Sequence, residues 1–145
     1  MTTFGYGEAM DDPLLELPGY SLRRAANAMM AELGAQLAVI DLRQADASAL
    51  IVIGANPGVT ASRLGRVLDI QRANMVPLLN RMEEAGLIRR DPIDGKSLGL
   101  SLTPAGQDKL AETRAIILSF EDSLLARVPD EHREHLLPAL DSLWR

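Results

Sequence analysis

The sequence predicts a mainly α-helical chain interrupted once by a β-hairpin. Three observations carry this. Apolar residues recur at helical spacing along most of the chain. The period shortens to two only at "LIRRD" and "LGLSL", and the boundaries fall at Pro, Gly, Asn and Thr rather than in long polar tracts. At 145 residues with 47% hydrophobic content, one domain with a real core fits, and disorder does not. Aromatics make up only 3%, so aliphatic side chains and methionine must supply most of that core.

Residues 1–18 read as a flexible N-terminal tail. In "PGYSLRRAANAMMAELGAQLAVI", Leu22, Ala25, Ala26, Met29, Leu33 and Leu37 predict a first helix over about 19–40. "ADASALIVIGANPG" is a second, more fully apolar helix, stopped by Asn56-Pro57-Gly58. Thr60 caps a short third helix, "ASRLGRVLD", its hydroxyl accepting from a free amide of the first turn. Gln71 to Ala85 is a fourth helix with Met75, Leu78, Leu79 and Met82 on its buried face and Gly86 closing it. Pro77 is its sixth residue if Arg72 is the first, a defect that costs roughly 3 kcal/mol in a helix interior.

The two strands follow, joined by "PIDGKS", where Asp94-Gly95 signals a hairpin because both residues tolerate positive φ. Thr103-Pro104 opens a long fifth helix to about Arg127. Its apolar residues, Leu110, Ile116, Ile117, Leu118, Phe120, Leu124 and Leu125, are spread wider than one stripe. Either it packs against more than its own domain or the monomer core is unusually thick. A last helix from Asp130 to Arg145 contains Pro138, where a bend or break is expected.

The net charge of −5 is unevenly placed: residues 60–100 carry seven bases against five acids, so a mildly basic surface sits on an acidic body. With no cysteine, disulfides, thiolate metal sites and cysteine nucleophiles are excluded. No apolar run approaches the roughly 20 residues of a membrane span, and acids precede the first basic residue, Arg23. A cytoplasmic protein is expected. His132 and His135 read as a surface pair rather than a metal site, and no cofactor is implied. No phosphate loop, Ser-His-Asp set or HExxH motif is present, so an enzyme is not expected.

Two short helices joined by a tight turn and followed by a hairpin give the order of a winged helix-turn-helix, here with flanking N- and C-terminal dimerisation helices. The stretch "ANPGVTASRLGRVLDIQRANMVPLLNRMEEAGLIRRDPIDGKSLGLSLTPAG" resembles the MarR family of bacterial transcriptional regulators. The likeness lies in Asn-Pro-Gly, then Thr and a short helix, and in Arg-Ala entering the fourth helix. Further on it lies in Arg-x-Glu-x-x-Gly-Leu, Asp-Pro-x-Asp at the wing, and Leu-x-Leu-Thr-x-x-Gly after it. It covers about residues 55–106. The resemblance implies a homodimer that binds double-stranded DNA with an inverted-repeat operator and that a small molecule often releases. On that reading residues 46–103 are the DNA-binding region, and 19–45 with 104–145 the helical dimerisation region. Two departures matter: Pro77 stands where the family often has a polar side chain facing the groove, and where the family's wing usually carries two arginines, this chain has Gly95 and Lys96. Lysine lacks the planar fork of arginine.

The DNA-binding residues expected are Thr60, Ser62 and Arg63 ahead of and on the third helix, and Gln71, Arg72, Asn74, Val76, Pro77, Asn80 and Arg81 on the fourth. Arg89, Arg90 and Lys96 join them from the wing. Arginine and lysine attract phosphate, asparagine matches the adenine edge, and small apolar groups match thymine methyls. Any one of these arginines could instead belong to a solvated face. Arg23, Arg24, Asn27 and Arg43 are the polar candidates for an anionic, aromatic ligand, with structural salt bridges to Glu32 or Asp46 as the alternative. The function expected is a sequence-specific regulator, a repressor released by ligand. The rival is a winged-helix protein-interaction module without tight DNA binding.

Overall fold

The structure, a computed structural model, describes residues 10–145. These fall into two compact units divided between Glu32 and Leu33. In the first, Asp12 caps a short 3-10 turn, Pro13–Glu16, by accepting from the Leu14 N–H at 3.1 Å. This turn lies inside the stretch expected to be a tail, whose first nine residues are outside the described part. Helix α1, Pro18–Ala38, starts just after it.

The second unit holds α2 (Gln44–Ala55), α3 (Ala61–Leu68), α4 (Arg72–Glu84), β1 (Ile88–Pro92), β2 (Leu98–Leu102), α5 (Pro104–Arg127) and α6 (Asp130–Asp141). This is the expected mainly α order with one hairpin. Helix α2 is apolar on nearly every side and buries Ala47, Ala49, Leu50 and Ile53, so it is the axis against which α3, α4, α5 and β2 pack. The core is aliphatic as composition requires: Leu37, Leu50, Ile53, Leu64, Met82 and Leu100 are sealed from solvent. Phe120 is the one aromatic among the buried described residues.

Local chemistry sets the boundaries. The Thr60 hydroxyl accepts from the Arg63 N–H, and the Thr103 hydroxyl accepts from the Gly106 N–H, each satisfying one free amide at a helix start. Asp69 ends α3 in the left-handed region (φ 52°) and turns the chain within three residues into α4. Gly86 closes α4 at φ 74°, a conformation that costs a residue with a β-carbon more than glycine.

The strands pair antiparallel from Ile88↔Leu102 to Pro92↔Leu98. The segment ahead of α3 joins them: Gly58 N–H donates to Leu100 O, and Leu100 N–H to Val59 O, both at 2.8 Å. The hairpin is thereby bonded to the start of the helix-turn-helix.

Three expectations are corrected. Neither Asp94 nor Gly95 has positive φ; the turn is instead held by the Asp94 carboxylate, which accepts from the Lys96 and Ser97 amides at 2.8 and 2.6 Å. An Asx-type turn can replace a positive-φ turn because the side chain supplies the acceptor. Leu98 does not share the buried side of Leu100 and Leu102 but is 49% exposed, because it pairs at the far end of the hairpin, beyond the core. Of the bend or break expected at Pro138, the break is absent: α6 continues through it and stops at Asp141.

Candidate nucleic-acid interface

The two faces of α4 separate cleanly. Met75, Leu78, Leu79 and Met82 are buried, as their spacing predicts. The opposite surface presents Arg72, Ala73, Asn74, Val76, Pro77 and Asn80, all exposed. Pro77 sits within the continuous helix, and its ring faces outward. This side offers small apolar groups and two amides.

Beside it, α3 exposes Ser62, Arg63 and Arg66, whereas Thr60 is half-buried with its hydroxyl engaged in the cap. Between α3 and the first turns of α4 lies an open cleft of about 760 Å³. Ser62, Arg66, Gln71, Arg72, Val76 and Arg90 line it, with Asp69 as the single acid. Arg66, expected from its charge to attract phosphate along with the other arginines, is brought to the same cleft as Arg72. Its signal in the sequence was only its charge.

The cations divide into two groups. Arg63, Arg66, Arg72 and Lys96 form no ion pair among the described residues. Arg81, Arg89 and Arg90 are engaged. The Arg89 Nε meets Asp91 at 2.9 Å, both exposed. Arg90 donates from Nε to Glu83 at 2.8 Å and from Nη2 to the Asn80 side-chain oxygen at 3.0 Å, tying β1 to the outer half of α4. Arg81 reaches away from the exposed face: its Nη2 lies 2.6 Å from Oδ1 of Asp46, an acid only 4% exposed. Asn80, Arg81 and Arg90 thus carry intramolecular bonds that sequence reasoning did not anticipate. At the wing tip, the two backbone amides stabilise the charged form of Asp94 and hold its pKa below the ordinary 3.8.

The ligand candidates lie in different units. On α1, the Arg23 and Arg24 guanidinium groups sit 5.3 and 5.7 Å from the centre of the Tyr20 ring, and Arg24 donates to the Tyr20 hydroxyl at 2.8 Å. Asn27 is exposed one turn further along. Arg43 is the N-cap residue of α2, and its backbone N–H donates to Asp46 Oδ2 at 3.2 Å. It lines a second cleft of about 650 Å³ with Gln71, Asn74, Pro77 and Arg81.

Residues 40–97 match the model of the MarR family. The chain is also similar to the transcriptional repressor CouR, solved on a 23-mer DNA duplex. The two are 31% identical with a TM-score of 0.88, over 95% of this chain and all of that one. The chain belongs to the MarR family. Within that family, it is 36% identical over 98 residues to a candidate transcriptional regulatory protein for the hcr operon of Thauera aromatica. That match covers 66% of this chain and spans 59% of the relative's length. It is also 26% identical over 139 residues to the HTH-type transcriptional repressor Rv2887 of Mycobacterium tuberculosis, covering 94% and 97% of the two. Rv2887 has been solved with salicylic acid (TM-score 0.70) and CouR with p-coumaroyl-CoA (TM-score 0.83).

Proposed function

We propose that this MarR-family chain is a sequence-specific DNA-binding transcriptional regulator. It acts as a homodimeric, cytoplasmic repressor, and a small anionic aromatic ligand releases it from DNA. One observation carries the reading: the exposed face of α4 offers Ala73, Asn74, Val76, Pro77 and Asn80 to a groove while the unpaired Arg63, Arg66 and Arg72 flank it. The major groove displays the donor, acceptor and methyl pattern that such side chains distinguish, and the arginines supply the attraction to phosphate. Gln71 and Ser62 stand at the edge of the same cleft, where they position α4 by bonds to the backbone. The wing, with only Lys96 unpaired, contributes charge rather than base reading.

Pairing of two chains through the terminal helices brings two such faces to successive major grooves about 34 Å apart. Leu118, Leu137, Leu143 and Trp144, each 65–73% exposed in the single chain, are the surface this pairing covers. The ligand class follows from the named relatives and from α1. Arg23 and Arg24 beside Tyr20 suit an anion attached to an aromatic group, either an aromatic carboxylate or its coenzyme A thioester. Such a ligand releases DNA by favouring the arrangement in which the two α4 helices no longer match adjacent grooves. No catalytic step is assigned.

The test is a binding titration against DNA from upstream of the chain's own gene at several salt concentrations. Four unpaired cations per protomer, all reaching phosphate in a dimer, give a log–log slope of roughly −7. Specific binding with a steep slope, weakened by p-coumaroyl-CoA or salicylate, supports the proposal. No specific binding at low salt supports the protein-interaction module instead.

A further inference from the structure

The clearest polar feature of the helix-turn-helix that its reading face does not use is the pair between Arg81 and Asp46. Asp46 occupies the first turn of α2 and is nearly sealed from solvent, yet both its oxygens are used. Oδ2 accepts from the Arg43 backbone N–H, and Oδ1 accepts from Arg81 Nη2 at 2.6 Å. Arg81 lies in the last turn of α4, and its Nε is buried without a partner. The guanidinium is therefore held toward α2 by Asp46, not shared among several acceptors.

The other anchors of α4 to the core are Met75, Leu78, Leu79 and Met82. Apolar burial is non-directional, and methionine in particular repacks easily, so these contacts hold α4 on the core without fixing its tilt. The bonds of Arg90 to Glu83 and Asn80 are directional too, but they lie on the more exposed side and tie α4 to the hairpin rather than to α2. The pair stands at the edge of the 650 Å³ cleft between the start of α2 and α4, where no large side chain fills the gap. One turn earlier, Pro77 removes a rung from the hydrogen-bond ladder of α4.

We propose that Arg81 is a positioning residue: its ion pair with Asp46 fixes the angle at which α4 meets the groove, and it does not itself contact phosphate. The inference rests on the DNA-binding function proposed above. Nine residues at 1.5 Å each separate Arg81 from Arg72, a lever of roughly 13 Å, so a 5° tilt moves the first turn by about 1 Å. A base-edge hydrogen bond tolerates only about 0.5 Å. Attraction to phosphate is much less sensitive to that displacement. Loss of the pair therefore removes discrimination between sequences before it removes affinity for DNA in general.

The test compares the wild-type chain with Asp46→Asn, Arg81→Met and Arg81→Lys. The probes are a duplex enriched from random DNA by the wild-type chain and a scrambled duplex, each at several salt concentrations. Asp46→Asn is the sharpest variant. It keeps the size and leaves the reading face untouched; its one remaining oxygen can still accept from the Arg43 N–H, while the amide NH2 then faces Arg81, so the charge and the acceptor that hold Arg81 are both lost. Positioning predicts roughly a tenfold loss on the enriched duplex, little change on the scrambled one, and an unchanged salt slope. It also predicts the same pattern for Arg81→Met and partial recovery for Arg81→Lys. If Arg81 contacts phosphate, Asp46→Asn frees it and tightens binding to both duplexes, while Arg81→Met reduces the slope by about one per protomer. Either result overturns the proposal, as does unchanged affinity of folded Asp46→Asn for the enriched duplex. A wild-type chain that enriches no sequence overturns the functional reading itself and this inference with it.

Discussion

Replacing Pro77 by alanine should raise the stability of the protein and lower its affinity for its DNA site. Helix α4 continues through Pro77, so the chain already accepts a missing N–H where an alanine would donate to the Ala73 carbonyl. An interior proline costs roughly 3 kcal/mol relative to alanine. Its stiffening of the unfolded chain returns up to about 1 kcal/mol, which leaves a gain of about 2 kcal/mol for Pro77→Ala. For a chain of this size, that is a rise in melting temperature of roughly 6 °C, measured at fixed protein concentration because the proposed association adds its own dependence. On the DNA side, the exposed pyrrolidine ring offers two more carbons than alanine to a thymine methyl. At about 0.8 kcal/mol for each buried methylene, their loss lowers affinity about tenfold. Calorimetry or circular dichroism reads the first effect. Competition binding on a site selected from random DNA reads the second, and that selected site should have an A·T-rich centre in each half. A melting temperature that does not rise would show that α4 carries no strain at Pro77. A G·C-dominated centre, or wild-type affinity in the variant, would show that the ring makes no contact with bases.

Arg72→Ala should weaken site-specific binding by roughly 1–3 kcal/mol while helicity and association stay intact, because Arg72 is exposed in the first turn of α4 and has no internal ion pair; unchanged affinity in the folded variant would remove it from the interface. Truncation after Arg127 should abolish the stable dimer and cooperative binding by deleting Leu137, Leu143 and Trp144 from an apolar surface, and an intact dimer in sedimentation would refute that. Gly106→Ala should destabilise the junction of hairpin and α5 by about 1–3 kcal/mol. Its β-carbon would lie 2.0 Å from the Leu87 carbonyl oxygen, a backbone atom that already accepts from the Thr103 N–H, and an unchanged melting temperature would contradict this.

The sequence by itself determined those parts of the protein that depend on neighbours three or four residues apart. The buried stripe Met75–Leu78–Leu79–Met82, the caps at Thr60 and Thr103, and the stop at Gly86 all follow from helix geometry and short-range hydrogen bonds. So does the outward set Ala73, Val76, Pro77 and Asn80, which is the same period read from the other side. What only the tertiary structure decided is the employment of each charge. Arg72 and Arg81 are the same residue type on one helix, nine positions apart, and nothing local separates their roles. Folding places Asp46, 35 residues earlier in the chain, beside Arg81 and leaves Arg72 facing solvent. Arg90 likewise acquires Glu83 and Asn80 only when β1 folds back along α4. A long cation can reach any acceptor within several ångströms. Its partner is therefore fixed by how α2, α4 and the hairpin pack, and no periodicity in the sequence records that.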